Sequence, residues 1–347
     1  MGRWSSTIRD CGIAAALLAG AAAGCDDGTT GVPEGDFEVN LAFILNATRP
    51  PDPGGRELWA ASLDGRLRWL NRDRRPRPAD PSVSPDGRSV VFSAPASEGE
   101  ASDLFIAAVD SPETRRLFSS PEPDEHPLWS PDGTQIAFEG VRGGVREIYI
   151  FSLGTERLVR IASAGGGLRL GDFSPDSRWI AFSAPGDGGT QIEIASASGT
   201  DRRPLTRGPG LRTDPSWNPA GDSIAYLNEG RARIVGLTGQ GDRLLAAIGD
   251  SVLPPLQWKA DGNVLIATAR QLGRTDIFRI DRARGETVNL TRLIIPGADP
   301  RIFSGGREFA YVADLTYARK IYLMDTEGFG NRPLTPYYLE ESEPATR

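Results

Sequence analysis

The chain has one histidine, His126, and two cysteines, Cys11 and Cys25, among its 347 residues. A single imidazole excludes a metal centre built on several histidines. Cys11 falls in an N-terminal apolar run, so the folded part is expected to hold neither a disulfide nor a catalytic thiol. Lysine is almost as scarce: Lys259 and Lys320 stand against a large excess of arginine, a bias of composition rather than of function. The Gly-x-Ser-x-Gly elbow of a serine hydrolase is missing, as is a phosphate-cradling glycine loop, and Gly165-Gly166-Gly167 reads as a connection. A formal net charge of −7 argues against nonspecific nucleic-acid binding, which needs a concentrated basic face.

What the chain does have is a repeated phrase. Ser84-Pro85-Asp86-Gly87, Ser130-Pro131-Asp132-Gly133 and Ser174-Pro175-Asp176-Ser177 are followed by the degraded copies Asn218-Pro219-Ala220-Gly221 and Lys259-Ala260-Asp261-Gly262. The residues just before them, Val83, Trp129, Phe173, Trp217 and Trp258, lie 41 to 46 positions apart, and Ile302 continues the series. A period in the low forties with four strands per unit predicts an all-β fold, a β-propeller of four-stranded antiparallel blades. Another step of the same size reaches Thr346, in Glu343-Pro344-Ala345-Thr346, while Leu41-Ala42-Phe43, Glu57-Leu58-Trp59-Ala60 and Arg66-Leu67-Arg68-Trp69-Leu70 read as a unit without a first strand. The expectation is therefore seven blades, the last closed by pairing of the N- and C-terminal strands, with six blades as the alternative.

Each part of the unit has a physical reason. Proline presets φ at the second turn position, aspartate tolerates the third, and glycine relieves strain as the chain enters the next strand. The turn thus explains the repeated aspartates without a ligand. Third strands alternate, as in Glu147-Ile148-Tyr149-Ile150 and Lys320-Ile321-Tyr322-Leu323, which suits sheets stacked face to face. Proline in Arg203-Pro204-Leu205-Thr206 and Arg332-Pro333-Leu334-Thr335 marks an outer edge strand. Trp129, Trp217 and Trp258 are expected to pack between neighbouring blades, and Tyr317, Tyr337 and Tyr338 to offer exposed contact surface.

Pro127-Leu128-Trp129-Ser130-Pro131-Asp132-Gly133 followed by Ile136-Ala137-Phe138 resembles the TolB-type, WD40-like propeller repeat, and the likeness extends over about residues 38 to 347. The resemblance implies a periplasmic ring with protein partners in the bacterial envelope. Similar units also occur in the propellers of prolyl-oligopeptidase-like enzymes. The α/β domain that precedes the propeller in the TolB family has no counterpart in this span.

Arg3 and Arg9 precede an apolar run from Gly12 to Ala23, too short to anchor stably across a bilayer. Ala22-Ala23-Gly24-Cys25 then resembles a bacterial lipobox, although Ala22 stands where leucine is usual. Residues 1–24 are accordingly expected to be a lipoprotein-type signal peptide, Cys25 the lipidated first residue, 25–37 a flexible tether and 38–347 a single propeller domain. The alternative is ordinary signal cleavage near Ala23.

Asp80, His126, Asp214 and Asp299 share one repeat position, immediately before a proline at the start of the innermost strand, with Glu343 equivalent in the closing blade. Around a ring they would converge on one mouth of the central channel. Asp80, Asp214, Asp299 and Glu343 could offer oxygens to a cation such as Ca²⁺, and His126 could touch a ligand. The competing explanation is that these side chains cap the turn through backbone amides. No other cofactor is expected. The function expected is non-catalytic: a lipid-anchored, monomeric, extracytoplasmic platform for envelope proteins. Carbohydrate or small-ligand binding at the channel mouth is the alternative, and a propeller lyase or hydrolase a third.

Overall fold

The repeated turn closes hairpins by one set of bonds. In the first copy the Ser84 hydroxyl donates to Asp86 Oδ1 at 2.6 Å, the Arg88 amide donates to the same oxygen at 3.0 Å, and the Ser89 amide donates to Ser84 Oγ at 2.9 Å. Ser130 with Asp132 and Ser174 with Asp176 repeat the pattern, again at 2.6 Å. The Ser174 hydroxyl and the Arg178 amide hold the Asp176 carboxyl below the usual carboxylate range. Around Asp86 and Asp132 partial burial pushes the other way and is overcome by the same serine and amide donors. Gly87 and Gly133 take positive φ, as does Ser177, where the third copy has no glycine. These aspartates are used up by the turn.

The computed structural model describes residues 39–46, 56–62, 66–71, 77–111, 113–292, 294–303, 305–315, 318–334 and 340–346. The expected signal peptide, Cys25, the tether, Tyr317, Tyr337 and Tyr338 lie outside the described residues. The described residues form strands and no helix. In chain order the strands are β1 (Leu41–Asn46), β2 (Arg56–Ala61), β3 (Leu67–Trp69), β4 (Ala79–Val83), β5 (Ser89–Pro95), β6 (Ser102–Ala108) and β7 (Thr114–Arg116). They continue as β8 (Asp124–Trp129), β9 (Gln135–Arg142), β10 (Val145–Ser152), β11 (Arg157–Ala164), β12 (Arg169–Phe173), β13 (Trp179–Gly186), β14 (Gly189–Ser196) and β15 (Arg202–Pro204). The remainder are β16 (Gly210–Trp217), β17 (Ser223–Asn228), β18 (Arg231–Gly236), β19 (Arg243–Ala246), β20 (Ser251–Trp258), β21 (Val264–Gln271), β22 (Arg274–Asp281), β23 (Thr287–Asn289), β24 (Gly297–Ile302), β25 (Glu308–Leu315), β26 (Ala318–Asp325), β27 (Arg332–Pro333) and β28 (Glu340–Thr346).

Five four-stranded blades stand as separate sheets: β28-β1-β2-β3, β4 to β7, β8 to β11, β20 to β23 and β24 to β27. The sixth sheet has eight strands, β12 to β19, and spans two copies of the sequence repeat. Its halves are joined where β14 and β16 pair in parallel through Gly189 with Gly210 and Thr190 with Leu211. The expected counts of seven or six separate blades are thus corrected to five, because this short parallel contact fuses the strands from Arg169 to Ala246 into one sheet. Closure does follow the expected route. β28 pairs antiparallel with β1, Leu41 opposite Thr346 and Ile44 opposite Ser342.

The core lies between consecutive sheets. Ala42, Ile44 and Leu58 of the first sheet, with Val39 just before it, pack with Val83, Val90, Phe92 and Phe105 of the next. Tyr226, Tyr311, Phe92, Phe138, Phe182 and Phe309 are fully buried. Each such ring contributes about 1.5–3 kcal/mol relative to exposure. Trp217 and Trp258 are buried, and Trp258 Nε1 donates to the Ser216 carbonyl at 3.2 Å across the boundary between neighbouring units. Trp129 packs beside Ile136 and Leu104, which belong to neighbouring sheets. The innermost strands follow one another around the axis: β28 contacts β4, β4 contacts β8, β12 contacts β16, β16 contacts β20, β20 contacts β24 and β24 contacts β28, while β12 reaches β9.

Candidate functional site

The four residues that precede proline share a backbone conformation as well as a position. Asp80, His126, Asp214 and Asp299 take φ of 49°, 52°, 54° and 54°. Left-handed backbone is uncommon for residues other than glycine, and aspartate and histidine are among those that tolerate it. At each of them the ladder slips: the register shifts between Ala79 and Ser82, Glu125 and Leu128, Thr213 and Ser216, and Ala298 and Arg301. A bulge leaves one amide unpaired, which is where proline can sit without losing a ladder bond. The left-handed residue therefore re-aims its side chain at the bulge of every innermost strand in which it occurs.

The structure brings Asp80 and His126 together. His126 Nε2 lies 3.8 Å from Asp80 Oδ1, and the His126 amide donates to Asp80 Oδ2 at 3.4 Å. Ser93 Oγ donates to the same oxygen at 3.1 Å. Asp299 is paired with Arg301 at 3.0 Å, and its amide donates to Thr268 Oγ1 at 3.1 Å. Asp214 is half-buried and shares only the backbone geometry. Glu343 lies in β28, and its side chain is outside the description. Among the described residues no three His, Cys, Asp or Glu side chains are grouped to hold a metal ion. Nor is a Ser-His-Asp relay assembled at this place. The Ser93 hydroxyl is directed at Asp80 and the Ala79 carbonyl rather than at the imidazole, and Ser93 is buried.

Sequence reading missed the carboxylate at the centre of the local rim that Asp80 and His126 form. Glu139, 3% exposed, accepts from Arg146 Nη1 and, at 3.1 Å, from Arg169 Nη1 through Oε2. Its Oε1 accepts the Leu170 amide at 2.7 Å, and His126 Nδ1 lies 3.8 Å from Oε2. Four strands supply these groups: β8, β9, β10 and β12. Glu139 thereby ties β9 to β12. The ladder gives its equivalents in other units, since Ser93, Ser183, Thr268 and Val312 likewise stand opposite the residue that begins the irregular stretch or lies one place before it. None of those is charged. A carboxylate at a position otherwise filled by small or apolar residues was the available signal.

A set of buried polar groups lies at the start of the third strands. Asp103 accepts from Arg116 and, at 3.0 Å, from the Ser120 amide. Glu147 accepts from Tyr149 and, at 3.0 Å, from Arg160; burial and this carboxylate push the Tyr149 phenol up to about 12. Asp276 accepts from Arg274 at 2.8 Å and from Thr291 at 2.9 Å, while Thr291 Oγ1 accepts the Ile277 amide at 3.0 Å. Gln191 and Thr206 repeat that clasp. The Leu-Thr ends of the fourth strands are therefore fasteners between the third and fourth strands. Asp124, fully buried beside Arg142 at 2.8 Å, has its carboxyl pushed up to about 6 by burial against the pull of that guanidinium.

A relative 31% identical over 132 residues is the Tol-Pal system protein TolB of Bordetella pertussis; the match takes in 38% of this chain. It spans 30% of that protein's length, well under half. Among solved structures, TolB from Acinetobacter baumannii superposes with a TM-score of 0.58 at 20% identity, covering 84% of this chain and 79% of that one. A puromycin-hydrolyzing peptidase of Mycobacterium tuberculosis superposes with a TM-score of 0.65 at 17% identity, covering 86% of this chain and 53% of the peptidase. At those identities the likeness shows the fold alone. The pattern of the PD40 family, TolB beta propeller domain, matches residues 146–346, more than half of the chain, and the chain belongs to that family.

Proposed function

We propose that this chain is a non-catalytic protein-interaction platform of the bacterial cell envelope, exported and held to a membrane by a lipid on Cys25. The observation that carries the reading is the left-handed backbone shared by Asp80, His126, Asp214 and Asp299, which fixes each of them before a proline at a bulge of an innermost strand. A ring that fixes side chains at repeated positions can recognise a partner without performing chemistry on it. Relatives named for the Tol-Pal system support an envelope partner. The one histidine lacks the hydroxyl partner that a hydrolytic relay needs among the described residues, which favours binding over catalysis.

The test is affinity capture from bacterial envelopes with the full chain, in parent form and with Asp214 and Asp299 replaced together by alanine. A protein partner that is captured reproducibly by the parent and weakened by the double replacement supports the reading. Turnover of a peptide or glycan substrate that disappears in His126→Ala would overturn it.

A further inference from the structure

Most buried carboxylates of the polar set answer one guanidinium each: Asp103 answers Arg116, Asp124 answers Arg142, Glu147 answers Arg160 and Asp276 answers Arg274. Glu139 answers two, Arg146 and Arg169. Glu327 also meets two cations, Lys259 and Arg279, but it is half exposed and Asp261 lies within 4.0 Å of Lys259 to balance the count. Two further carboxylates flank the group: Asp80, which is engaged with His126, and Glu125, which stands opposite Glu139 in the β8–β9 ladder. Two guanidiniums thus share one buried acceptor oxygen, inside a chain whose formal net charge is −7.

Those guanidiniums are also presented. A guanidinium has five N–H donors, and among the described residues Glu139 is the acceptor for Arg146 and for Arg169 through one nitrogen of each. The Arg146 side chain is 30% exposed and that of Arg169 is 55% exposed, whereas the glutamate that orients them is buried. The His126 ring, 51% exposed, stands 3.8 Å from the same oxygen and adds a donor at the edge of the pair. Two oriented forks with free outward donors match the geometry of a carboxylate.

We infer that Arg146 and Arg169, oriented by Glu139, form a subsite for a carboxylate of an acidic peptide segment, with His126 flanking it. This rests on the platform reading, and gives the partner's contact chemistry. The acidic remainder of the chain repels polyanions at long range, so a short acidic segment that reaches the rim is favoured over an extended polyanion.

The probe is a fluorescein-labelled peptide of six glutamates, read by fluorescence anisotropy against the full chain, with a six-glutamine peptide as the neutral comparison. The glutamate peptide is expected to bind, to lose at least tenfold in affinity in Arg169→Gln and in Arg146→Gln, and to weaken as salt rises. Arg284→Gln, at an exposed site away from the rim, should bind as the parent does. Arg169→Lys should recover part of the loss, which separates a charge effect from a folding defect, and each variant's far-ultraviolet circular dichroism should match the parent. Equal binding of the two peptides, or undiminished binding by Arg169→Gln, overturns the subsite. Digalacturonate that competes below the concentration of peptide needed for half-saturation would overturn the peptide assignment in favour of a sugar acid. If envelope capture still returns a partner that Arg169→Gln holds undiminished, the platform stands and this subsite falls.

Discussion

The backbone amide of Trp217 donates to the Asp172 carboxylate at 3.1 Å, so that β16 is tied to β12 of the preceding repeat by a charged side chain. One repeat position serves the same purpose elsewhere with a neutral group: the Trp129 amide donates to Ser82 Oγ at 3.3 Å. The ring therefore uses a side-chain acceptor on one innermost strand to satisfy an amide of the next. A hydroxyl suffices for that task. A carboxylate there brings a titration with it.

Burial pushes the Asp172 carboxyl up to about 7, against the pull of the Trp217 and Phe173 amides. An ordinary aspartate loses its proton near 3.8. Between those values the folded chain holds a proton that the unfolded chain has released, so this residue's contribution to stability falls as pH rises through that window. Asp172→Asn keeps an oxygen acceptor for Trp217 and removes the titration. The difference in urea midpoint between Asp172→Asn and parent should grow in favour of the variant from pH 4 to pH 7 and level off above it. A difference that is flat with pH would contradict the assignment.

Glu139 is expected to matter for stability apart from any ligand. Glu139→Leu removes the acceptor of two guanidiniums and of the Leu170 amide. The guanidiniums left behind are part exposed and can be hydrated, so the cost is chiefly that of an unpaired amide and lost charge-assisted bonds, about 1–3 kcal/mol. Chemical denaturation should show a loss of that order, and Glu139→Gln, which keeps an oxygen for Leu170, a smaller one. A cost below about 1 kcal/mol in Glu139→Leu would mean that the arginines find other partners.

The turns and the closure were legible because both are written locally or by counting. Ser84 and Asp86 bond within two residues, and the step of about 44 residues reaches Thr346, which does pair with Leu41. The rim was half legible. Asp80 and His126 could be matched by their prolines, but Glu139 meets Arg169 across 30 residues and a repeat boundary, and a glutamate in a strand reads locally as a solvent-facing residue. The fused sheet was not legible at all. Gly186-Asp187-Gly188-Gly189 and Gly208-Pro209-Gly210 carry the signs of loops, and only their folding against one another makes two of their residues a parallel pair.

The turn bonds give a prediction of modest size. Ser174→Ala removes the acceptor of the Trp179 amide and the donor to Asp176. A net loss of about 1 kcal/mol is expected from such a pair of bonds. The Asp176 carboxyl should also rise toward its ordinary value once its first donor is gone, which side-chain carbonyl NMR titration would register. An unmoved Asp176 titration would show that the backbone amide alone lowers it.

The fused sheet can be tested at one glycine. Gly189 has φ of 150°, and a Cβ there would lie 2.1 Å from the Gly210 carbonyl oxygen. Alanine must therefore push β14 and β16 apart, since a backbone carbonyl cannot move aside as a flexible side chain would. Gly99 supplies the comparison: its φ is 86°, and a Cβ there would meet nothing within 4 Å. Gly99→Ala should cost about 1 kcal/mol through conformation alone, and leave hydrogen exchange at Thr190 and Leu211 unchanged. Gly189→Ala should cost more than that and speed exchange of the amides near the Gly189–Gly210 and Thr190–Leu211 pairs, while the amides of β24 to β27 exchange as in the parent. If both alanines cost the same and neither alters exchange at the junction, the parallel pairing does not hold the eight strands together.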